Sequence, residues 1–379
     1  MKSLISLVSL ITNKIKTKED KKLYWASFKK ENEDHIKELL GLKNIDIEKA
    51  PNLIDIDIDE ENNLLLLNYT AQAHNCLHAI PNAWTKELKY CRGLVFSFYP
   101  EVKIVSRSFE KFFNFKEVEE TSKSNLTKIC QNNQFLAREK ADGHMIEFFE
   151  HNNELQSTTR GRFGTASSIE SKTILSYKDW INIKNFYKSK NIELMSLVVE
   201  LVTPNTEVLV DYNGKISLYL LAAYDVNKEI INSNHLSEVA EINKEIFTLP
   251  EARLFTLNEL IKEINNRNII NKEGWVLNCG GERFIKFKYI NYIGRMVMSK
   301  LNYKYIMSCI LNNRLEKMLD TLNEKEQEYA YSLANNVFKI LEDCKRINSY
   351  KPLYKLWSDE EGGNSYFYTV CRKFYRGMI

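Results

Sequence analysis

Short apolar runs separated by polar turns fill the middle of this chain, and they constrain its fold more than any other feature of the sequence. Such runs cover residues 54–58, 64–69, 93–98, 102–109, 135–150, 155–159, 197–202, 207–212, 215–224, 275–278 and 283–289. Short apolar or alternating runs that are bounded by turn residues are typical of β-strands. The central part of the chain is therefore expected to form β-sheet.

Several turns predict how these strands pair. The polar turn 151–154 joins two alternating arms and predicts a hairpin. Turns at 203–206 and at Asn213-Gly214 predict three consecutive antiparallel strands, the second of which is 207–212. Gly280-Gly281 predicts a further hairpin.

Helical patterns flank the strands on both sides. Five apolar residues near the start fall at helical spacing: Leu4, Leu7, Val8, Ile11 and Ile15. No small-residue cleavage site follows them, so they predict an amphipathic first helix rather than a signal peptide. Beyond Gly294 the strand pattern stops, and apolar residues recur at helical spacing to about residue 346.

The change of periodicity near residue 296 predicts two domains and an α+β fold class. Residues 1–295 are expected to form an antiparallel-sheet domain. Residues 296–379 are expected to form a small, all-helical C-terminal domain.

The composition fits a globular protein with little net charge. Hydrophobic residues make up 44% and charged residues 27% of the 379 residues, with 13 glycines and 6 prolines, which excludes a disordered or collagen-like chain. The formal net charge of +3 is too small to indicate a nucleic-acid partner by itself. The 7 cysteines are odd in number and scattered, which favours a reducing cytoplasm. No segment is long enough to cross a bilayer, so no membrane partner is expected.

The run Lys140-Ala141-Asp142-Gly143 carries the first chemical signal. Alone it is a charged strand end followed by a glycine turn, which arises by chance in many proteins. Here it is followed, in order and beside apparent strands, by Arg160-Gly161, Glu200, Glu273-Gly274, Lys286 and Lys288. The ordered set, rather than any single residue, indicates a functional site.

These residue types suit a lysine that attacks a nucleotide phosphate. A lysine amine has an unperturbed pKa of about 10.4, so it must lose a proton before it can attack. Nearby cations and a divalent metal favour the neutral amine, and the same cations would hold a triphosphate. The candidate cations are Arg92, Lys111, Arg160, Lys286 and Lys288. Asp142 and Glu273 are candidate ligands of Mg²⁺, and Glu200 is a candidate acceptor for ribose hydroxyls.

These segments resemble the covalent nucleotidyltransferase superfamily and, within it, the RNA ligase 1 family of bacteriophage T4 type. The resemblance covers roughly residues 68–292. Superfamily motifs I, III, IV and V match Lys140–Gly143, Val199–Leu201, Glu273–Val276 and Lys286–Lys288. Family-level segments match Cys91–Phe96, Glu110–Asn114 and the weaker Asn68-Tyr69. The chain departs from the family pattern at Arg160, where the family has a lysine, so the phosphate contact there differs in geometry.

The resemblance implies a nucleotidyltransferase (ATP-grasp-like) fold for residues 1–295 and an ATP-dependent RNA ligase activity. Lys140 would form lysyl-AMP from ATP with Mg²⁺, or with Mn²⁺ in its place. The AMP would then pass to an RNA 5′-phosphate, and an RNA 3′-hydroxyl would displace it. The implied partners are RNA ends in RNA or tRNA repair, including cleaved tRNA, and a separate end-healing kinase-phosphatase. The implied location is the cytoplasm, or the host cytoplasm for a viral chain.

The resemblance also implies a role for each site residue. Lys140 is the nucleophile, Asp142 and Glu273 hold metal, and Glu200 holds the ribose. The residues implied to contact phosphates or other parts of the nucleotide are Tyr69, Arg92, Lys111, Gly143, Arg160, Lys286, Lys288 and Tyr292. Phe113 would support the site, and Tyr219 and Val276 would face the adenine.

Other interpretations remain open from the sequence. An RNA-capping guanylyltransferase shares the lysine and carboxylates but would prefer GTP and continue into a β-barrel, whereas this chain continues into helices. A non-catalytic protein that binds nucleotides or RNA ends on the same scaffold is a further alternative. The C-terminal helices either pack on the first domain or recognise RNA, and cations lie beside aromatic residues at 345–351 and 372–376.

Overall fold

A computed structural model describes residues 1–45, 50–77, 80, 83–131, 133–346 and 349. The chain packs as two compact units. The first comprises Met1–Lys262 and Lys272–Phe287, and the second comprises Glu263–Asn271 and the described residues from Lys288 onward. The functional division at residues 295 and 296 stays a prediction, because compactness does not assign an activity to either part. The basic and aromatic residues at 350–351 and 372–376 lie outside the described residues.

The described strands form three sheets that are mostly antiparallel. The strands are β1 (Ile54–Asp59), β2 (Leu64–Tyr69), β3 (Arg92–Ser97), β4 (Lys103–Ser106), β5 (Phe113–Asn114), β6 (Phe135–Lys140), β7 (His144–His151), β8 (Glu154–Thr159), β9 (Leu194–Val202), β10 (Ser217–Asp225), β11 (Phe247–Thr248), β12 (Ala252–Phe255), β13 (Gly274–Asn278) and β14 (Phe284–Lys288). The first sheet has the order β1-β2-β3-β4, the second β11-β10-β9-β7-β8, and the third β12-β6-β13-β14-β5. Only the short strands β11 and β5 pair in parallel within these described sheets.

Helices precede, connect and follow the sheets. Across the described ranges they are α1 (Lys2–Thr12), α2 (Lys18–Glu31), α3 (Glu33–Leu39), α4 (Ala71–Leu77), α5 (Lys86–Tyr90), α6 (Lys123–Cys130), α7 (Ala166–Ile174), α8 (Tyr177–Ser189), α9 (Ser233–Ile242), α10 (Leu257–Ile264), α11 (Ile290–Met298), α12 (Tyr303–Leu311), α13 (Leu315–Leu319) and α14 (Glu324–Arg346). The α+β fold class is confirmed. None of these helices combines the length and apolar character of a membrane span.

Local patterns predicted the first helix and the hairpins well. The five apolar residues from Leu4 to Ile15 are completely buried in the core of the first unit. The hairpins of β7 with β8 and of β13 with β14 are present around their predicted turns. Both features are local, because a helix face or a tight turn is encoded by a few neighbouring residues.

The prediction of one strand over residues 135–150 is wrong. The chain leaves β6 at Lys140, and β7 begins only at His144. β6 pairs with β13 in the third sheet, whereas β7 pairs with β9 in the second. Charged residues from Arg138 to Asp142 interrupt the apolar pattern at this break, but such a local interruption does not reveal that the two arms join different sheets.

The predicted strand 207–212 is also wrong, and β9 pairs directly with β10. The main-chain N–H groups of Leu209 and Val210 donate to the Asp142 carboxylate instead of to a strand. A side chain from a distant segment thus satisfies the backbone groups that a strand ladder would otherwise pair.

Each unit has its own apolar core. In the first unit, α1–α3 pack on the β1–β4 sheet, and Trp25 and Phe28 of α2 are buried there. The second sheet buries Trp180 and Tyr187 of α8. In the second unit, Ile306, Met307 and Val337 lie in a core formed by the helices from α11 onward.

A buried carboxyl group lies where β4 meets β7. Glu147 of β7 is fully buried, and its Oε2 accepts a hydrogen bond from Ser106 Oγ over 2.8 Å. A Cβ atom at Gly93 would lie 2.5 Å from Glu147 Oε1, so β3 approaches this carboxyl at a glycine. Burial raises the pKa of Glu147 to about 8, although serine hydroxyls and two arginines act against the increase.

We expect Glu147→Gln to gain stability relative to the wild type as the pH rises. Between the unfolded and folded pKa values the folded wild type binds more protons than the unfolded chain, so its free energy of unfolding falls with increasing pH. Glutamine cannot ionise, so the difference should grow by an amount on the order of a few kcal/mol between about pH 5 and about pH 9. Urea unfolding of both proteins at several pH values measures this difference in the free energy of unfolding. Glu154→Gln, an exposed change on β8, should show no such trend.

Candidate active site

Lys140 lies at the end of β6, beside the carboxylate of the residue that directly precedes the neighbouring strand β13. The register of β6 with β13 places Gly274 opposite Lys140, so Glu273 comes next to the lysine. Lys140 Nζ donates a hydrogen bond to Glu273 Oε2 over 2.8 Å. The Glu273 side chain is 3% exposed and that of Lys140 is 21% exposed. A buried carboxylate therefore holds an amine that solvent and substrate can still reach.

The charges around Lys140 raise its pKa. Burial lowers the pKa of this lysine, but attraction by Glu273, Glu200 and Asp142 outweighs burial and leaves the pKa above its ordinary value. At Lys140 the effect that was expected from neighbouring cations is therefore outweighed by the carboxylates. Its amine is held as an ammonium at neutral pH.

The cations instead act on Lys286, which lies on β14. Burial and three positive neighbours lower the pKa of Lys286 well below its ordinary value; the neighbours are Arg92, Lys111 and Lys140. The carboxylate of Glu117 acts in the opposite direction but does not compensate. An anion bound among these cations would relieve their repulsion, so the arrangement suits a phosphate.

Glu200 and Gly143 connect the second sheet to the site. Burial raises the pKa of Glu200 to about 7, whereas Lys140 and the main-chain N–H of Gly143 act to lower it. A Cβ atom at Gly143 would lie 2.3 Å from the Leu201 carbonyl oxygen, a distance that no real Cβ contact reaches. Glycine is thus required for the close approach that brings its N–H to Glu200.

Asp142 anchors a loop. Its Oδ2 accepts hydrogen bonds from the main-chain N–H groups of Leu209 and Val210, each over 2.9 Å. The N–H of Asp142 itself donates to Tyr212 Oη over 2.7 Å. The assignment of Asp142 as a metal ligand stays a prediction, since one oxygen of this carboxylate already holds the loop.

The carboxylates around Lys140 fit a divalent metal that shares its ligands with a substrate. No group of three or more His, Cys, Asp or Glu in the described parts of the chain could hold a metal ion by itself. Mg²⁺ usually takes one or two carboxylates and fills its other positions with water and phosphate oxygens. Glu273, Asp142 and Glu200 all act on Lys140 and supply such a partial set. The donors therefore suit Mg²⁺ or Mn²⁺ together with a bound phosphate.

A cavity of about 540 Å³ opens beside Lys140. The predicted site residues in its lining are Arg92, Lys140, Glu200, Val276 and Lys286. Apolar side chains supply much of the remaining wall, among them Phe109, Leu221, Ile231 and Phe284. A concave, largely apolar pocket with a few charged groups is suited to a nucleotide, whose base is apolar on its faces and whose phosphates are charged.

Four predicted residues form a separate cluster of aromatic rings and cations: Tyr69, Lys111, Phe113 and Arg160. Arg160 Nη1 donates to Tyr69 Oη over 3.2 Å. Lys111 Nζ lies 4.5 Å from the centroid of the Phe113 ring and 3.5 Å from Glu117 Oε1. The ion pair and the ring offset the burial of this ammonium group. Lys111 also acts electrostatically on Lys286, which links the cluster to the cavity.

The remaining predicted residues lie in other surroundings. Tyr219 is the cross-strand partner of Glu200 and packs with Ala141. Lys288 and Tyr292 belong to the second compact unit, where Lys288 Nζ lies 4.8 Å from the Tyr292 ring centroid. Their assignment as nucleotide contacts stays a prediction.

Arg138 is a cavity residue that the sequence reasoning missed. It precedes Lys140 by two positions on β6, and strand alternation places such residues on one face of a sheet. The alternation of side chains along β6 could therefore have identified Arg138 from the sequence. Burial lowers the pKa of Arg138, as expected for a guanidinium drawn partly out of water.

Phe112 was also missed, although its neighbour Phe113 was selected. Phe112 lines the cavity, and its ring centroid lies 4.4 Å from Lys286 Nζ and 5.6 Å from Arg92 Cζ. Two adjacent phenylalanines look alike in a sequence, so only the fold could distinguish the one that faces the cavity from the one that packs on Lys111.

Comparison with known proteins identifies one family. Residues 90–292, more than half of the chain, match the family model of T4 type that is described as RNA ligase. The match begins just before Arg92 and ends at Tyr292, so it includes Lys140, Glu200 and Glu273.

Individual relatives are similar over shorter stretches or at low identity. A protein of Autographa californica nuclear polyhedrosis virus, whose name gives polynucleotide kinase and RNA ligase activities, is 32% identical over 106 residues, which are 27% of this chain and 14% of that protein. An archaeal ATP-dependent RNA ligase is 15% identical, with 66% of this chain and 70% of that chain covered and a TM-score of 0.44. A variant of the Naegleria gruberi RNA ligase with ATP and Mn is 17% identical, with 44% and 53% covered and a TM-score of 0.33. The chain thus spans only a small part of its viral relative.

We expect Glu273→Gln to lower the pKa of Lys140. The glutamine removes the negative charge that contributes most to holding the lysine as an ammonium. Reductive methylation with ¹³C-formaldehyde, followed by an NMR titration, reports the pKa of the single amine that is absent from a Lys140→Ala spectrum. Glu139→Gln is the matched control, because Glu139 pairs with Lys272. An unchanged Lys140 pKa in Glu273→Gln would contradict this account of the charge balance.

Proposed function

The chain belongs to the T4-type RNA ligase family, and we propose that it is an ATP-dependent RNA ligase that joins 3′-hydroxyl and 5′-phosphate ends. The observation that carries this proposal is the contact of Lys140 with Glu273 at the edge of a cavity that also contains Glu200, Arg92 and Lys286. A nucleophilic amine, carboxylates and phosphate-binding cations converge there on one nucleotide-sized space.

In the first step, the amine of Lys140 attacks the α-phosphorus of ATP. A nitrogen–phosphorus bond forms, the bond from phosphorus to the bridging oxygen breaks, and pyrophosphate leaves with the electron pair of that bond. The ammonium proton must depart before the attack, and the Glu273 carboxylate that accepts its hydrogen bond is the adjacent base. The same contact aims the amine into the cavity.

The cations would bind the phosphates. Arg92 and Lys286 line the cavity, so they are placed to neutralise the charge that develops on the leaving pyrophosphate. Phosphate binding would also restore the depressed pKa of Lys286, because an anion offsets the repulsion from its neighbours. Lys111, Arg160 and Tyr69 form the adjoining cluster that we assign to further phosphate contacts.

The ribose and base would occupy the rest of the cavity. Glu200 has a pKa of about 7, so near neutral pH it is able to accept or donate a hydrogen bond to a ribose hydroxyl. Val276 and Leu221 supply apolar surface for adenine. Mg²⁺ or Mn²⁺, held by Glu273 and Asp142 with phosphate oxygens, would supply further charge neutralisation.

In the later steps, an RNA 5′-phosphate oxygen attacks the adenylate phosphorus and releases the Lys140 amine. An RNA 3′-hydroxyl then attacks the 5′-phosphorus, and AMP leaves. The ends must therefore carry a 5′-phosphate and a 3′-hydroxyl. We propose that a separate end-healing kinase-phosphatase prepares these ends, and the kinase activity in the name of the viral relative supports the kinase part of this proposal. The scattered cysteines favour the cytoplasm, of the host for a viral chain.

Self-adenylylation tests the first step. Protein incubated with [α-³²P]ATP and Mg²⁺ should retain label on a denaturing gel, and the label should be released by acid because a phosphoramidate is acid-labile. Lys140→Ala should lose the label completely, and Lys140→Arg should lose it too, since an arginine cannot deprotonate near neutral pH. Label retained by either variant would exclude Lys140 as the nucleophile.

The same assay distinguishes the alternatives. Labelling by GTP in preference to ATP would favour a guanylyltransferase. Purified wild type that binds RNA but never takes label would favour a non-catalytic binding protein.

Side-by-side ligation tests the RNA partner. We expect joining of a single-stranded RNA and of a tRNA cleaved in its anticodon loop to exceed joining of a nicked duplex, as suits a repair enzyme for broken loops. The matched control carries a 5′-hydroxyl in place of the 5′-phosphate and should not be joined, because it has no phosphate to adenylylate. Preferential sealing of the nicked duplex would contradict the assignment to tRNA repair.

A further inference from the structure

Arg107 lies outside the cavity lining, yet its side chain joins two loops that reach the cavity. Arg107 follows β4 and is 2% exposed. Its guanidinium donates to the Glu282 carboxylate and to the main-chain carbonyl oxygen of Lys228. Its Nε also donates to the carbonyl oxygen of Ser108 over 3.3 Å. All three nitrogens of the guanidinium therefore donate hydrogen bonds, and every acceptor is an oxygen of the protein itself.

Two aromatic rings and a serine hold Arg107 in place. The guanidinium carbon lies 4.3 Å from the Tyr224 ring centroid and 5.0 Å from the Tyr90 ring centroid. The main-chain oxygen of Arg107 accepts a hydrogen bond from Ser196 Oγ over 2.8 Å. The Arg107 guanidinium lies against two rings and its backbone is hydrogen-bonded to β9, so this side chain has little freedom to move.

The first loop that Arg107 holds is the turn after β10. This turn is closed by a hydrogen bond from the N–H of Lys228 to the carbonyl oxygen of Asp225 over 2.8 Å. The residues that follow it, Ile230, Ile231 and Asn232, line the cavity. A displacement of the Lys228 carbonyl would therefore move part of the cavity wall.

The second loop is the hairpin between β13 and β14. The N–H of Cys279 donates to the carbonyl oxygen of Arg283 over 2.9 Å across this hairpin. Glu282 lies at its tip, and the flanking residues Gly281 and Phe284 line the cavity. Glu282 is 175 residues away from Arg107 in sequence, so the contact joins remote parts of the chain.

We propose that Arg107 is a positioning residue: by holding Glu282 and the Lys228 carbonyl oxygen at the same time, it fixes two walls of the nucleotide cavity relative to each other. The identity of the ligand as ATP rests on the proposed function. The effect of Arg107 on the two loops does not depend on it. Arg107 does not touch the reacting atoms. Its loss should therefore weaken ATP binding more than it slows the adenylylation of Lys140.

Kinetics of self-adenylylation test the consequence for ATP. In the full-length chain, Glu282→Ala should raise the KM for ATP about fivefold or more and change the rate at saturating ATP by less than about twofold. Glu282→Gln keeps a hydrogen-bond acceptor for the guanidinium and should recover part of the affinity. Glu101→Ala, an exposed change in the turn before β4, is the matched control and should behave as the wild type.

Hydrogen exchange followed by mass spectrometry tests the loops without relying on activity. The peptides that cover 225–231 and 279–284 should exchange faster in Glu282→Ala than in the wild type, while the β9 peptide should not change. Arg107→Met should accelerate both loops, and adding Glu282→Ala to Arg107→Met should have no further effect, because the contact is already lost. If Arg107→Met fails to fold, the two Glu282 variants alone decide the test.

The outcomes separate this inference from the proposed function. An unchanged KM and unchanged loop exchange in Glu282→Ala would overturn the positioning role. A uniform loss of protection throughout the first unit would also overturn it, since Arg107 would then serve only global stability. Wild type that never forms an adenylate would reject the proposed function, while loop exchange would still decide whether Arg107 holds the two loops.

Discussion

The change of sheets between Lys140 and His144 is the constraint on which the candidate site depends. β6 ends at Lys140 in the third sheet, and β7 begins at His144 in the second. The crossing is possible because Gly143 has no side chain to collide with Leu201. It brings Lys140, and Glu273 just before the neighbouring strand β13, to Glu200, which belongs to the other sheet. Lys140 and the carboxylates that act on it thus meet at a junction that neither sheet could form alone.

The charges at this junction shift the pKa values of two lysines in opposite directions. Lys140 lies among carboxylates, which stabilise its ammonium form, and Lys286 lies among cations, which destabilise its own. Under the proposed function, a phosphate that enters the cavity together with its metal ion would change both balances. The phosphate would relieve the repulsion around Lys286, and the metal ion would offset the charge of the carboxylates that hold Lys140 as an ammonium. Such a ligand would therefore complete an electrostatic arrangement that the protein by itself leaves unbalanced.

Local sequence signals succeeded where the determinant was local. The first helix and the hairpins followed from apolar spacing and turn residues. The prediction of one strand over residues 135–150 failed because the charged residues and the glycine at the break do not record that the two arms join different sheets. The strand over 207–212 failed because Asp142, more than sixty residues earlier, takes the N–H groups of Leu209 and Val210. The alternation of side chains along β6 could have identified Arg138. Arg107 and Glu147, by contrast, act through contacts between distant segments, which leave no local signal in the sequence.

By itself the sequence determined the α+β class and the family, and it singled out Lys140 as the candidate nucleophile, because these depend on periodicity and on an ordered set of residue types. Only the tertiary structure decided which of these residues share a cavity, which phenylalanine faces it, and which lysine has a raised or a lowered pKa. Those properties depend on distances and burial between segments remote in the chain. A linear pattern records the residues that can interact, but the free energy of each charge is set by the neighbours that folding brings to it.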